Sequence, residues 1–383
     1  VFTAGRAQTP LQCARRMVTK IQNATRIPEL DLLRFLAAAA VVLYHYISCF
    51  PAPALVEGSV VETLSALTRY GYMGVDLFFM ISGFVILWSS IDRDPLGFAI
   101  SRISRLYPAF WVSLAITSLC VFLIAEMVPH VEVPPLDKWT LAANATMIPA
   151  TLNAPLIEGV YWTLEIEIRF YALMMALLLF RQMPRVESFL YGWLAISIVG
   201  MFVELPWIVQ FIFIEPYAPF FVAGCLFYLV LSRGRTLPRL GALVVAAISS
   251  MFVAHSQREG FITPDPISAI VVPGLVLMFF GIFVALTVRK RAPASARFAR
   301  LGAITYPLYL VHGLIGYLIY EYLHPHVGVG TALLIITAVI ITLSWLITVL
   351  VDIPARKPFA AFLYRVAAAL RLVKRPAVED AKA

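Results

Sequence analysis

The sequence predicts an all-α, polytopic integral-membrane protein, and three observations carry that reading. Of its 383 residues, 61% are hydrophobic and only 14% charged, where a soluble chain carries about 25%. The mean hydropathy is +0.86, and uncharged apolar runs long enough to cross a bilayer recur along the chain. The basic residues, which give a net charge of +8, fall mainly between alternate pairs of those runs. That is the pattern of cytoplasmic loops, not of a nucleic-acid-binding surface.

In order, ten spans are expected at roughly 29–49, 71–91, 106–128, 166–181, 188–204, 216–232, 238–254, 267–288, 301–323 and 329–351. The fourth and fifth are the shortest. The stretch 205–215 is too short to cross and reads as re-entrant or interfacial. With the N-terminus inside, the outer loops (50–70, 129–165, 205–215, 255–266 and 324–328) hold only Arg69, Lys138 and Arg258 as cations. The inner segments hold nearly all the rest, Arg181 and Arg239 sit at cytoplasmic span ends, and only Arg34 and Arg169 fall inside spans; this sets ten spans with both termini cytoplasmic. A basic tail is expected over 1–28, the membrane domain over 29–353, and a second basic tail over 354–383. The first 28 residues contain no apolar core of a signal peptide.

Cys13, Cys49, Cys120 and Cys225 show neither metal-ligand nor redox-motif spacing and read as buried thiols. No internal repeat is visible. The longest outer loop, 129–165, is rich in Pro, Asn and acids, with Asp137 and Glu158 among them; loops of that length are commonly functional or disordered.

Within this apolar frame, ionisable residues are the functional candidates. In the first span Arg34 and His45 are separated by ten residues. Eleven steps of 100° return to within about 20° of the same face, roughly 16 Å further along the axis. Arg34 falls near the cytoplasmic side, with Asp31 three residues before it, and His45 toward the outside. Singly, Arg34 reads equally well as a snorkelling anchor and His45 as a helix-to-helix hydrogen bond; together they favour a lined cavity. In the second span, glycines 71, 74 and 83 suit close helix approach, whereas Asp76 and Ser82 are not explained by packing. Arg102 and Arg105 are i,i+3 neighbours on the cytoplasmic side. Two guanidinium groups on one face suit a polyphosphate, and an ordinary positive-inside anchor is the competing reading. Glu167 and Tyr171 are i,i+4 in the fourth span, at a depth expected to match that of His45. A carboxylate beside an imidazole orients it as a base. Glu165 is expected to pair with Arg169 instead. Tyr309 and His312 are i,i+3 at mid-membrane, where a satisfied core histidine competes with a cavity-lining role. His324 and His326, in the last outer loop, lack the further ligands a metal site needs.

Taken together these stretches resemble the acyltransferase-3 family of membrane O-acyltransferases. Asp31-Leu-Leu-Arg34 followed by Tyr44-His45, Gly74-Val-Asp76 through Ser82-Gly83-Phe84, and Arg102-x-x-Arg105-Leu-Tyr-Pro are similar to its first three signatures. Trp162-Thr-Leu-Glu-Ile-Glu167-x-x-Phe170-Tyr171, Tyr306-Pro-Leu-Tyr309-Leu-Val-His312 and Asp352-Ile-Pro354 resemble the remainder. The matches run in order over 29–354; Asp352 stands where the family more often has Glu. The resemblance implies transfer of an acyl group, often acetyl, from cytoplasmic acyl-CoA to a hydroxyl of an extracytoplasmic glycan or lipid-linked sugar, in the bacterial inner membrane. It implies no permanently bound cofactor, no metal and no nucleic-acid partner.

On that basis His45 is the expected general base, with Glu167 assisting and Arg34, Arg102 and Arg105 holding the acyl-CoA. Asp31, Asp76, Ser82, Tyr171, Tyr309 and His312 are expected to line or support the cavity. A covalent acyl-imidazole on His45 is the alternative to direct transfer. A proton-coupled transporter built on the same charges is the alternative function; such carriers usually show repeated halves.

Overall fold

The computed structural model describes residues 27–50, 60–288 and 296–370. Residues 1–26, 51–59, 289–295 and 371–383 lie outside it, and with them Cys13, nearly all of the first expected tail and the end of the second, whose residues 354–369 are helical. All regular structure among the described residues is helical. The helices are α1 (Pro28–Leu43), α2 (Val60–Thr68), α3 (Gly74–Ser90), α4 (Pro95–Ile124) and α5 (Lys138–Ala145). They continue with α6 (Trp162–Leu179), α7 (Val186–Gly200), α8 (Trp207–Phe213), α9 (Ala218–Arg233) and α10 (Leu237–Gln257). The last are α11 (Ser268–Val288), α12 (Ala296–Val311), α13 (Leu314–Val327), α14 (Val329–Ile347) and α15 (Ile353–Ala369).

Among the described residues seven helical stretches are long and apolar enough to cross a membrane, or eight if α12 and α13 together make one span. The fourth and fifth expected spans are helical as α6 and α7 but do not meet that criterion. The first turns of α6 carry Glu165, Glu167 and Arg169. α7 has only 15 residues, a rise of about 22 Å against a hydrocarbon thickness of about 30 Å. The ninth expected span is not one helix. α12 and α13 meet at His312-Gly313 with a bend of 67°. His324 and His326 lie in α13, not in a loop.

α9 is the hub, since every residue from Ala218 to Val230 is buried, as expected of a helix surrounded by protein. It packs backbone to backbone on α3. A Cβ at Gly224 would stand 1.9 Å from the Met80 carbonyl oxygen, and one at Gly83 2.1 Å from that of Phe221. Between helices in lipid, such small-residue contacts supply the van der Waals packing that the hydrophobic effect does not. α1 runs between α3 and α12, so its polar stripe faces the protein interior.

Two irregularities shape that interior. At its C-terminal end α1 loosens into a π-helical turn, Tyr44–Cys49, which contains His45; π-turns recur at functional sites. The α12–α13 break frees backbone groups that must find partners inside the protein. Tyr46 Oη donates to the His312 carbonyl (3.1 Å), and Tyr161 Oη to that of Leu310 (3.3 Å). A Glu158 oxygen accepts from Leu314 N (2.8 Å).

The 129–165 loop folds down along α4. Tyr107 Oη and Trp111 Nε1 donate to the carbonyls of Thr146 and Ala145, both at 2.9 Å. Asn144 is buried and bonded to Thr140, Pro155 and Ile157. Glu165 anchors the loop as well as pairing with Arg169. It accepts from Ala150 N, from Thr151 N and Oγ1, and from Arg169 Nη2 at 2.6 Å. Of the cysteines, Cys225 is buried, Cys120 is partly exposed and Cys49 is exposed, so the expectation of buried thiols fails at Cys49.

Candidate functional site

Most of the expected site residues line one of two chambers that meet at Val75 and Tyr309; Asp31, Asp76 and His312 line neither. The first, of about 170 Å³, is lined by Arg34, Arg102, Arg105, Ser82, Glu167 and Tyr171, with apolar walls from α3, α4 and α6. Arg34 stands 3.9 Å from Asp31 one helical turn earlier. Arg102 lies over the rings of Phe98 and Tyr171, at 5.8 and 6.0 Å from their centroids. Its Nε is buried with no hydrogen-bond partner. Three guanidinium groups thus face a space that holds one carboxylate, Glu167. The surplus is positive, and a buried unpartnered donor is costly until an acceptor arrives. The i,i+3 arginines therefore behave as more than a surface anchor: they line a cavity.

Glu167 does not approach His45. Its Oε1 accepts from Ser82 Oγ (3.1 Å) and Tyr171 Oη (2.5 Å), within the arginine chamber. The expectation of a His45–Glu167 pair is corrected, and the reason is geometric. α6 starts at Trp162, which itself lines the histidine chamber. Five residues further, Glu167 has descended about 7.5 Å and turned toward α3. Tyr171 goes with it. Asp76 is also displaced: it is buried beside Tyr72, Trp162 and Tyr217 in a narrow cleft, and it lines neither chamber.

The second chamber, of about 390 Å³, holds His45, with Tyr44, Phe50, Tyr72, Trp162, Phe261 and Tyr317 as aromatic walls. The group beside His45 is His312, delivered by the broken helix; the ring centroids are 5.0 Å apart. Three contacts fix the protons. His312 Nδ1 is 2.9 Å from the Tyr309 carbonyl, which only accepts, so Nδ1 carries the hydrogen and the Nε2 of neutral His312 is an acceptor. That Nε2 lies 3.3 Å from His45 Nδ1, which is also 3.0 Å from the Val41 carbonyl. His45 Nδ1–H is therefore the donor to both, and His45 Nε2 keeps the free lone pair. His312 is fully buried; it orients His45 and does not face the chamber.

Sequence reasoning placed no weight on Glu158 or Cys49, and both line the histidine chamber. Glu158 is buried, and desolvation raises its pKa to about 7 although the Leu314, Val160 and Gly159 amides favour its charged form. Its position near Gly313 follows from that residue's missing side chain: a Cβ there would be 2.3 Å from Glu158 Oε1. Between the chambers stands Tyr309. Its hydroxyl is tied to Thr163 Oγ1 at 2.9 Å, and its ring meets Phe78 edge-on at 5.8 Å.

An all-α membrane bundle with charged side chains gathered around an interior cavity defines an integral-membrane protein with a buried polar site. The acyltransferase domain of the acyltransferase-3 family matches residues 27–349, and the chain belongs to that family. It is 29% identical over 155 residues to Acyltransferase MdmB of Streptomyces mycarofaciens, covering 39% of this chain and 38% of that protein. It is 26% identical over 255 residues to Exopolysaccharide production protein ExoZ of Rhizobium meliloti (strain 1021), covering 63% of this chain and 75% of that one. No solved structure matches it significantly.

Proposed function

We propose that the protein is a membrane O-acyltransferase. It takes an acyl group, acetyl in the simplest case, from acyl-CoA on the cytoplasmic face. It delivers that group to a hydroxyl of an extracytoplasmic carbohydrate or lipid-linked sugar. The single observation that carries this reading is the pairing of two adjoining chambers, one with surplus arginine and one with an oriented imidazole. Membership of the family and likeness to proteins named for acyl transfer and exopolysaccharide production support it.

The donor is a long, thin molecule with an anionic head. Arg102 and Arg105 offer charge-assisted hydrogen bonds to its phosphates. Arg34, on the same chamber wall, balances charge further in. The pantetheine arm passes Tyr309 so that the thioester meets His45. His45 Nε2 takes the proton of the acceptor hydroxyl as its oxygen attacks the thioester carbonyl. The carbon–sulfur bond breaks, the acyl–oxygen bond remains, and the departing CoA thiolate takes the proton back from His45. His312 holds the Nδ1–H tautomer throughout. It does for His45 what the notion of a Glu167 partner assigned to a carboxylate, but without a charge.

Purified protein in proteoliposomes with radiolabelled acetyl-CoA and a cell-surface glycan extract tests the reading. Labelled ester that is sensitive to mild base is expected from wild type and lost in H45A. Equal labelling by H45A would refute it. Label retained on the protein without acceptor, and lost in H45A, would mark a covalent acyl-imidazole step instead of direct transfer.

A further inference from the structure

Of the groups lining the histidine chamber, Glu158 is the one the transfer step leaves unused. It is 1% exposed, yet it borders the same space as His45. One oxygen is committed to Leu314 N at the start of α13 (2.8 Å). No described side chain donates to its other oxygen, Oε1, and besides Leu314 only the backbone amides of Val160 and Gly159 favour the charged carboxylate. No lysine or arginine lines this chamber among the described residues. Neither Arg69 nor Arg258 lines the chamber: Arg69 holds Asp265 (2.8 Å) and the Thr263 carbonyl (2.7 Å), and Arg258 donates through Nη1 to the His255 carbonyl, its Nε buried without a partner. The walls are aromatic, with Tyr72 and Phe261 stacked at 4.6 Å and 6°.

Each feature selects a property of the ligand. A volume of about 390 Å³ lies within the range of small-molecule sites, about 300–1,000 Å³. Aromatic faces suit a ring with C–H faces. A carboxylate accepts and never donates when ionised, so it wants a hydroxyl opposite it. With no cation to compensate, a carboxylate or phosphate on the ligand would meet Glu158 as a like charge in a poorly hydrated space.

We propose that Glu158 is the acceptor-binding group of the histidine chamber. It takes a hydrogen bond from one hydroxyl of an uncharged polyhydroxylated ring while another hydroxyl of that ring faces His45 Nε2, and it excludes rings that bear an acid. This rests on the acyl-transfer reading and narrows it, because it assigns a neutral sugar rather than a uronic acid or sugar phosphate to the reacting position.

The test reads binding, not turnover, and uses Cys49 as the reporter because it is exposed and lines the chamber. The full chain with Cys13→Ser and Cys120→Ser is placed in nanodiscs at about pH 8, where Glu158 is mainly ionised, and alkylation of Cys49 by a maleimide is timed. The probes are p-nitrophenyl β-glucoside and p-nitrophenyl β-glucuronide, which differ by one carboxylate. The glucoside is expected to protect Cys49 at concentrations about tenfold lower than the glucuronide, the scale of one hydrogen bond to a charged group. Glu158→Gln keeps an acceptor for Leu314 N. It is expected to weaken glucoside protection and strengthen glucuronide protection, opposite shifts that a merely structural role does not produce. Glu158→Asp is expected to keep the discrimination. Equal protection by both probes, protection by neither, or a pattern unchanged in Glu158→Gln would overturn the proposal. Failure of the acyl-transfer reading shows separately, as glycan labelling that survives H45A.

Discussion

The two chambers are made differently. The arginine chamber is built from regular helices: α1, α3, α4, α6 and α12 each contribute residues at ordinary helical spacing. The histidine chamber is built from interruptions, namely the π-turn at Tyr44–Cys49, the 67° break at His312-Gly313, and the loop residues that precede α6. Regular helices hold charge at fixed depth, as recognition of an anionic head requires. Irregular backbone presents groups such as His45 Nε2 at angles that no continuous helix provides, and it is tolerated at membrane depth only where it lines a cavity.

That contrast is broken most sharply by the largest expected effect. H45A is expected to lower acyl transfer by about 10²–10⁴-fold, the usual contribution of a general base, in steady-state assays at saturating acyl-CoA. A smaller fall with a raised KM for acyl-CoA would move His45 to the donor side. Next, R102A/R105A is expected to raise the KM for acyl-CoA by about 10²-fold, at roughly 1.5–3 kcal/mol per charge-assisted hydrogen bond, and to leave the acceptor KM alone. E167Q belongs to the same class: it is expected to alter the acyl-CoA KM and to leave the shape of the pH–rate profile as in wild type. A changed profile would restore the link between Glu167 and the base.

H312A is expected to reduce kcat about 2–10-fold, the worth of a net hydrogen bond of about 0.5–1.5 kcal/mol, with both KM values unchanged. H312Q, whose amide oxygen sits near the Nε2 position, is expected to recover part of the loss. The smallest effect concerns stability. The pKa of Glu158 lies above its ordinary carboxylate value, at about 7 in the folded protein. The protonated form is therefore the one folding favours. Its contribution is complete below the unfolded-state pKa of about 4.3 and is lost as pH rises through about 7. The melting temperature of wild type minus that of E158Q is expected to fall between about pH 5 and 8, measured by thermal denaturation in detergent; a flat difference would contradict the burial argument.

The same contrast explains what was legible in the sequence. The Arg102–Arg105 pair and the Glu165–Arg169 pair obey helical spacing, and each is found where spacing puts it, whereas Arg34 and His45 line different chambers and the π-turn interrupts the helical spacing between them. The all-α membrane class was readable from composition alone. What failed depended on breaks in periodicity. Glu167 was set at the depth of His45 because the fourth span was taken to begin at the outer surface, whereas α6 begins beneath a loop folded down along α4. The sequence places His312 within one continuous span, because an isolated glycine such as Gly313 inside a helical pattern is tolerated and does not by itself mark a break. The π-turn has no sequence signal that we can identify. In the sequence Glu158 is one of a few acids in a long outer loop, with no spacing to single it out, and only the folded chain shows it buried against a helix start.

The division of labour between the chambers is tested most directly by equilibrium binding of acetyl-CoA to the purified protein, comparing wild type, H45A and R102A/R105A. The account predicts that H45A binds as wild type does and that R102A/R105A loses about 10²-fold in affinity. Wild-type affinity in R102A/R105A, or loss of binding in H45A, would contradict it.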